Sequence, residues 1–173
     1  MFLLDTSALS ALMNQDHALH AKAVAFKDHH VGQEQRLFVC VISLAEMQFG
    51  LNMYEARTPP PSKTDLDVVR KRIQAAASLS DPLEVTRHVA IKHGRLRSKW
   101  AWKLAPRKAA QGKLKGAHPE HWSDDWPANK LQITENDIWI AAMAITHDLT
   151  LVTCDKDFDK LTKADSNLKI MRF

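Results

Sequence analysis

Four carboxylates in this sequence have the type and placement to do chemistry together. Asp5 and Asp155 each follow a strand-like apolar run, and Glu46 and Asp137 each fall in the first turn of a helical pattern. In an open parallel α/β sheet such positions gather along the carboxyl edge of the strands, where binding sites form. Four carboxylates in one cleft repel one another and raise their pKa values unless cations neutralise them. A cleft of Asp and Glu without His or Cys suits a hard divalent ion, Mg²⁺ or Mn²⁺, better than zinc. Two such ions about 3.5 to 4 Å apart can activate a water and stabilise the leaving oxygen of a phosphodiester. Each carboxylate also has a local alternative. Glu46 and Asp137 take the third position of capping boxes opened by Ser43 and Thr134, and Asp5 and Asp155 read as helix N-caps worth ~1 kcal/mol each. Asp157 and Asp159 follow Asp155 closely in a turn-like segment, and Asp157 is the substitute for Asp155 in the set.

Other chemistries find less support. His17 with His20, His29 with His30, and His118 with His121 lack an H-E-x-x-H or Cys/His framework, and read as exposed or capping histidines. No G-x-S-x-G elbow presents a nucleophilic serine. The five glycines are too scattered to write G-x-G-x-x-G or G-x-x-x-x-G-K-[ST], which excludes phosphate loops of those kinds. Cys40 and Cys154, the only cysteines, lie far apart in strand-like runs and read as buried, reduced thiols.

The elements that must position the carboxylates follow from periodicity. Phe2 to Leu4 reads as a strand, and Asp5-Thr6-Ser7 supplies cap-type residues for a helix from Ala8 to Asn14. His17 to His30 has helical spacing, Leu37 to Ile42 reads as a buried strand, and Leu44, Met47, Leu51 and Tyr54 form a helical stripe. Asp65 to Leu79 is helical after the proline-rich break at Thr58 to Ser62, and Asp81-Pro82-Leu83-Glu84 predicts the start of a helix running to Leu104. Thr134 to Ile145 is a capped helix, followed by strands at Thr150 to Cys154 and Leu168 to Met171. Strands alternating with helices predict an α/β fold with a sheet covered on both sides. At 173 residues and 45% apolar content, one domain spanning 1–173 is expected. The Pro- and Gly-bearing stretch at about 105–130 reads as an insertion.

The charge is unevenly spread. The net charge is +4, yet Val85 to Pro119 holds ten Lys or Arg and no Asp or Glu, leaving the remainder negative. Such a segment, carrying Trp100 and Trp102, is equipped to bind phosphates and stack bases, although a solvated helix face that docks on an acidic partner has the same composition. The candidate RNA-binding set is Arg95, Arg97, Lys99, Trp100 and Lys103. No apolar run approaches the roughly 20 residues that span a bilayer. No Lys or Arg precedes Lys22, so the basic region of a secretory leader is missing and a cytoplasmic location is expected.

Four blocks together carry a family resemblance: Phe2-Leu3-Leu4-Asp5-Thr6-Ser7, Ile42-Ser43-Leu44-Ala45-Glu46-Met47-Gln48-Phe49-Gly50, Asn136-Asp137-Ile138-Trp139-Ile140-Ala141-Ala142, and Leu151-Val152-Thr153-Cys154-Asp155-Lys156-Asp157-Phe158. This order resembles the PIN-domain nucleases, most closely the VapC-type toxins of bacterial type II toxin-antitoxin pairs, over residues 1–55 and 81–173 apart from about 105–130. The resemblance implies a three-layer α/β/α fold with a central, mostly parallel sheet. It also implies a Mg²⁺- or Mn²⁺-dependent endoribonuclease in which Asp5, Glu46, Asp137 and Asp155 bind metal, with Thr6 and Thr153 supporting the cleft by hydrogen bonding. The implied partners are structured RNA such as tRNA or rRNA, a small VapB-like antitoxin, and a second copy in a homodimer. Two alternatives stay open: a nucleic-acid- or protein-binding module without catalysis, and a phosphodiesterase acting on DNA.

Overall fold

The computed structural model describes residues 1–104 and 127–173. Its centre is a four-stranded sheet of β1 (Phe2–Leu4), β2 (Leu37–Phe38), β3 (Thr150–Val152) and β4 (Lys169–Met171) in the order β2-β1-β3-β4, every pairing parallel. Leu3 is in register with Phe38 on one side and Leu151 on the other, and Leu151 with Ile170. Around the sheet lie α1 (Thr6–Met13), α2 (His20–Gly32), α3 (Val41–Glu55), α4 (Lys63–Ala77), α5 (Arg87–Leu104), α6 (Ala128–Leu131), α7 (Glu135–Thr146) and α8 (Phe158–Ala164). No described helix is long and apolar enough to cross a membrane.

The two central strands, β1 and β3, are buried on both faces because alternate side chains serve different cores. Phe2, Leu4 and Val152 pack with Ala8, Leu9 and Leu12 of α1, Ala23 of α2 and Ala76 of α4. Leu3 and Leu151 point the other way, into a second cluster with Leu96 and Trp100 of α5, Ile138 and Ala141 of α7, and Phe158 and Leu161 of α8. Each fully buried Leu or Phe contributes ~1.5 to 3 kcal/mol relative to exposure. The result is a three-layer α/β/α sandwich, as expected.

Four local expectations need correction. The strand predicted over Leu37 to Ile42 pairs with β1 only at Leu37 and Phe38, because α3 already begins at Val41 with Cys40 as its N-cap. Ser43 is therefore buried inside the helix and opens no capping box for Glu46. Residues 81–86 do not begin a helix: Leu83 bridges in parallel to Cys40, its amide donating to the Val39 carbonyl at 2.9 Å, and α5 begins only at Arg87. Backbone pairing at the sheet margin outcompetes the local Pro82 signal. Finally, β3 ends at Val152, which leaves Cys154 half-buried beyond the strand; both cysteines are free thiols.

The basic segment also differs from its sequence reading. Trp100 is 6% exposed and its Nε1–H donates to the Leu131 carbonyl at 2.7 Å, so it is a core residue and no stacking platform. Arg97 faces Glu135 at 3.2 Å and Lys99 faces Asp165 at 3.1 Å, so both bind the fold to itself. Arg95, Lys103 and Trp102 are exposed. The insertion expected at about 105–130 lies largely outside the described residues, as do Arg107, Lys108, Lys113, Lys115, His118 and His121.

Candidate active site

The strand order reverses between β1 and β3, and the ends of these two strands are where Asp5 and Asp155 leave the sheet. A switch point of this kind opens a crevice at the carboxyl edge. Here it forms a cavity of about 800 Å³ whose lining includes Asp5, Glu46, Asp137 and Asp155. Four elements distant in sequence thus deliver one carboxylate each: the β1–α1 junction, the second turn of α3, the first turn of α7 and the segment after β3.

Asp5 is the most constrained. It is the N-cap of α1, and its Oδ1 accepts the Ala8 amide at 2.7 Å. The Ser7 hydroxyl donates to both carboxylate oxygens at 2.9 Å, and the buried Thr153 hydroxyl donates to Oδ2 at 2.6 Å. These hydroxyls are oriented in turn, because Ser7 Oγ accepts the Cys154 amide and Thr153 Oγ1 accepts the Asp155 amide, each at 2.9 Å. Asp5 is therefore cap and site residue at once.

Glu46 has no capping role. Its Oε2 accepts the Thr6 hydroxyl and its Oε1 accepts Asn136 Nδ2 at 2.8 Å, which ties α3 to both α1 and α7. Asp137 does sit in a capping arrangement: Thr134 Oγ1 accepts its amide at 3.1 Å and donates to its Oδ2 at 2.5 Å. Asp155 is exposed at the rim, with Oδ1 accepting the Asp157 amide at 2.8 Å, and the Arg172 guanidinium donates to its carbonyl at 3.1 Å. Asp157 pairs with Lys160 at 2.7 Å and is absent from the cavity lining, so Asp155 and not its substitute reaches the cleft.

The electrostatics are those of crowded anions. Burial, only partly offset by the Thr153, Ala8 and Ser7 hydrogen bonds, pushes the Asp5 carboxyl up to about 6, and the charge of Asp137 adds to the rise. Burial likewise raises Asp137, against the Thr134 hydrogen bond, and the charges of Asp155 and Glu46 push it further. Asp137 thus links the set: Asp155 and Glu46 act on it, and it acts on Asp5.

This donor set fits a hard cation. The cavity offers carboxylate oxygens, the Thr6 and Ser7 hydroxyls and an amide, with no imidazole or thiol in its lining. Among the described residues no group of three or more His, Cys, Asp or Glu side chains stands close enough together to hold a metal ion. The arrangement therefore suits an ion such as Mg²⁺, which keeps several waters and takes one or two carboxylates. Sequence reasoning had not singled out Ser7, Asn136 and Phe49. Their signal was available, since Ser7 and Asn136 are polar residues in first turns beside Asp5 and Asp137, and Phe49 falls one turn after Glu46.

Comparison with known proteins agrees with this architecture. The PIN domain model matches residues 2–164. No curated protein matches the chain. A chain in the crystal structure of VapBC2 from Rickettsia felis bound to a promoter DNA fragment is similar at 18% identity and TM-score 0.61, over 99% of this chain and 97% of that one. A chain of FitAcB from Neisseria gonorrhoeae is similar at 21% identity and TM-score 0.63, over 99% and 96%. A chain of VapBC-5 from Mycobacterium tuberculosis, a member of the VapBC family of toxin-antitoxin systems, is similar at 23% identity and TM-score 0.54, over 99% and 97%. With a family model that spans all four strand-end carboxylates, the chain belongs to the PIN-domain family.

Proposed function

We propose that this protein is the nuclease toxin of a VapBC-type toxin-antitoxin pair, a Mg²⁺- or Mn²⁺-dependent endoribonuclease acting in the cytoplasm. The observation that carries the reading is the convergence of Asp5, Glu46, Asp137 and Asp155 on one cavity at the switch point of the sheet. Four anions gathered in one cleft, with hydroxyls fixing Asp5, Glu46 and Asp137, are costly for stability alone, and a cation-dependent reaction gives them a use. A divalent ion held there supplies Lewis-acid stabilisation of charge on phosphoryl oxygens. Asp5, fixed by three donors, and Asp137 would hold it, with Glu46 and Asp155 balancing its charge. Asp137 has Oδ2 engaged by Thr134, which leaves its Oδ1, on a carboxyl raised first by burial and then by the charges of Asp155 and Glu46, as the oxygen that would face the ion.

Structured RNA such as tRNA or rRNA is the proposed substrate. A small VapB-like antitoxin and a second copy of the chain are the proposed partners, supported by the VapBC assemblies to which the fold is similar.

The test is cleavage of tRNA, rRNA and single-stranded DNA by the wild type, Asp5→Asn and Asp137→Asn, with and without EDTA. The expected result is RNA cleavage that needs Mg²⁺ or Mn²⁺ and is lost in both folded variants. Equal, metal-independent cleavage by all three proteins removes the mechanism. Preferential DNA cleavage makes the protein a DNA phosphodiesterase. No carboxylate-dependent Mn²⁺ uptake in calorimetry makes it a binding module.

A further inference from the structure

On α3, Ile42, Ala45, Glu46 and Phe49 recur at helical spacing and all line the carboxylate cavity. Phe49 is one turn beyond Glu46 and 66% exposed. Among the described residues it has no ring partner, although six aromatic or imidazole pairs are built elsewhere around Phe2, Phe26, His30 and His93. A large ring left in water forgoes the burial that stabilises the fold, and its place on the wall of the reaction cavity gives it a different use.

We propose that Phe49 is the platform on which a nucleobase next to the scissile phosphodiester stacks, so that the substrate is RNA single-stranded at the cut. This rests on the nuclease reading. The face of an aromatic ring is electronegative and disfavours a phosphate, so the anionic backbone belongs at the cation-binding carboxylates and the neutral base belongs over the ring. The lining also carries Ile42 and Ala45 on the same helix face, with Thr6, Ser10 and Asn136 beside the carboxylates. A flat ring that shares a cavity with hydrogen-bonding groups matches a base, which has a π-face and a polar edge. An apolar helix of a protein partner would need a longer row of anchors, and Met53, the next exposed apolar residue along α3, lies outside the cavity lining. Stacking is tolerant of base identity, so Phe49 selects an unpaired nucleotide and not a sequence.

The experiment uses the full chain with all four carboxylates intact, with Phe49, Phe49→Ala and Phe49→Trp, in Ca²⁺ in place of Mg²⁺ so that binding is read without turnover. The probe is a single-stranded RNA decamer of mixed sequence carrying 2-aminopurine, alongside the same decamer with an abasic site at that position. The expected result is fluorescence quenching by the Phe49 and Trp proteins, and affinity about 5- to 150-fold weaker with Ala. The abasic decamer should bind the Phe49 and Ala proteins equally, and all three proteins should melt together. Equal affinity of the Phe49 and Ala proteins for the intact decamer overturns the proposal. So does an Ala penalty of the same size on the abasic decamer. Cleavage of tRNA by Phe49→Ala at unchanged KM in Mg²⁺, on the otherwise wild-type chain, overturns stacking and leaves the nuclease reading standing. No binding of either decamer by the Phe49 protein overturns the stacking proposal, whereas the nuclease reading fails only if tRNA and rRNA are not cleaved.

Discussion

Asp5 shows how one side chain serves stability and chemistry in opposite directions. As an N-cap it satisfies the Ala8 amide, but its burial holds the carboxyl at about 6, above the ordinary 3.8. A raised carboxyl binds its proton more tightly in the folded state, so its contribution is fully present below pH 3.8 and is lost as pH rises through about 6. The size of that loss is about 3 kcal/mol. In EDTA, the wild type is therefore expected to lose about 3 kcal/mol of stability relative to Asp5→Asn between pH 4 and 8, read from paired urea titrations; a pH-independent difference contradicts it. Mn²⁺ affinity should rise over the same window, by up to about tenfold per pH unit below pH 6, because the ion competes with that proton. Asn136 fixes Glu46 by a hydrogen bond. If Glu46 balances the charge of the proposed ion, Asn136→Ala should weaken Mn²⁺ binding by calorimetry, and should do so by less than Asp137→Asn.

At the scale of elements, α5 is the instructive case. Its sequence reads as a basic, tryptophan-bearing RNA-binding helix, and the fold divides it. Trp100, Leu96 and Val89 enter the core against α7 and α8, whereas Trp102 is 51% exposed. His93 is buried between the layers, stacked on Trp139 of α7 with ring centroids 3.7 Å apart and its Nε2 2.8 Å from Glu135. Desolvation lowers its pKa, against the pull of Glu135. Trp100→Ala should destabilise the protein by about 3 to 5 kcal/mol in urea titration, whereas Trp102→Ala should change stability by no more than about 0.5 kcal/mol. Similar effects of the two would contradict the division. The two tryptophans differ by two positions on a helix, which turns one inward and the other to water. Net charge carries no information about that rotation.

For the whole molecule, the site is distributed over elements that the sheet and the two cores bring together at one edge. Thr6 to Glu46, Asn136 to Glu46 and Thr153 to Asp5 bridge sequence separations of 40, 90 and 148 residues. Ion binding should therefore stabilise the global fold. By mass action, Mn²⁺ at 100 times its dissociation constant should add about 2.7 kcal/mol to unfolding stability. That increment should vanish in Asp137→Asn. A melting temperature indifferent to Mn²⁺ in the wild type would contradict a shared site.

The sequence alone determined the alternation of strands and helices, since short continuous apolar runs and apolar residues spaced three to four apart are both local patterns. It also marked the four carboxylates, because each follows a recognisable strand end or opens a recognisable helix. Tertiary structure decided which reading of each carboxylate prevails. Asp5 and Asp137 keep their capping bonds, and Glu46 loses its expected box because Cys40 and Leu83 pair and α3 begins early. It also decided that Asp155 and not Asp157 lines the cavity, and that Trp100 is core. These outcomes depend on backbone pairing and burial between residues far apart in the chain. Local patterns report only what a segment can do, and long-range contacts select among those options.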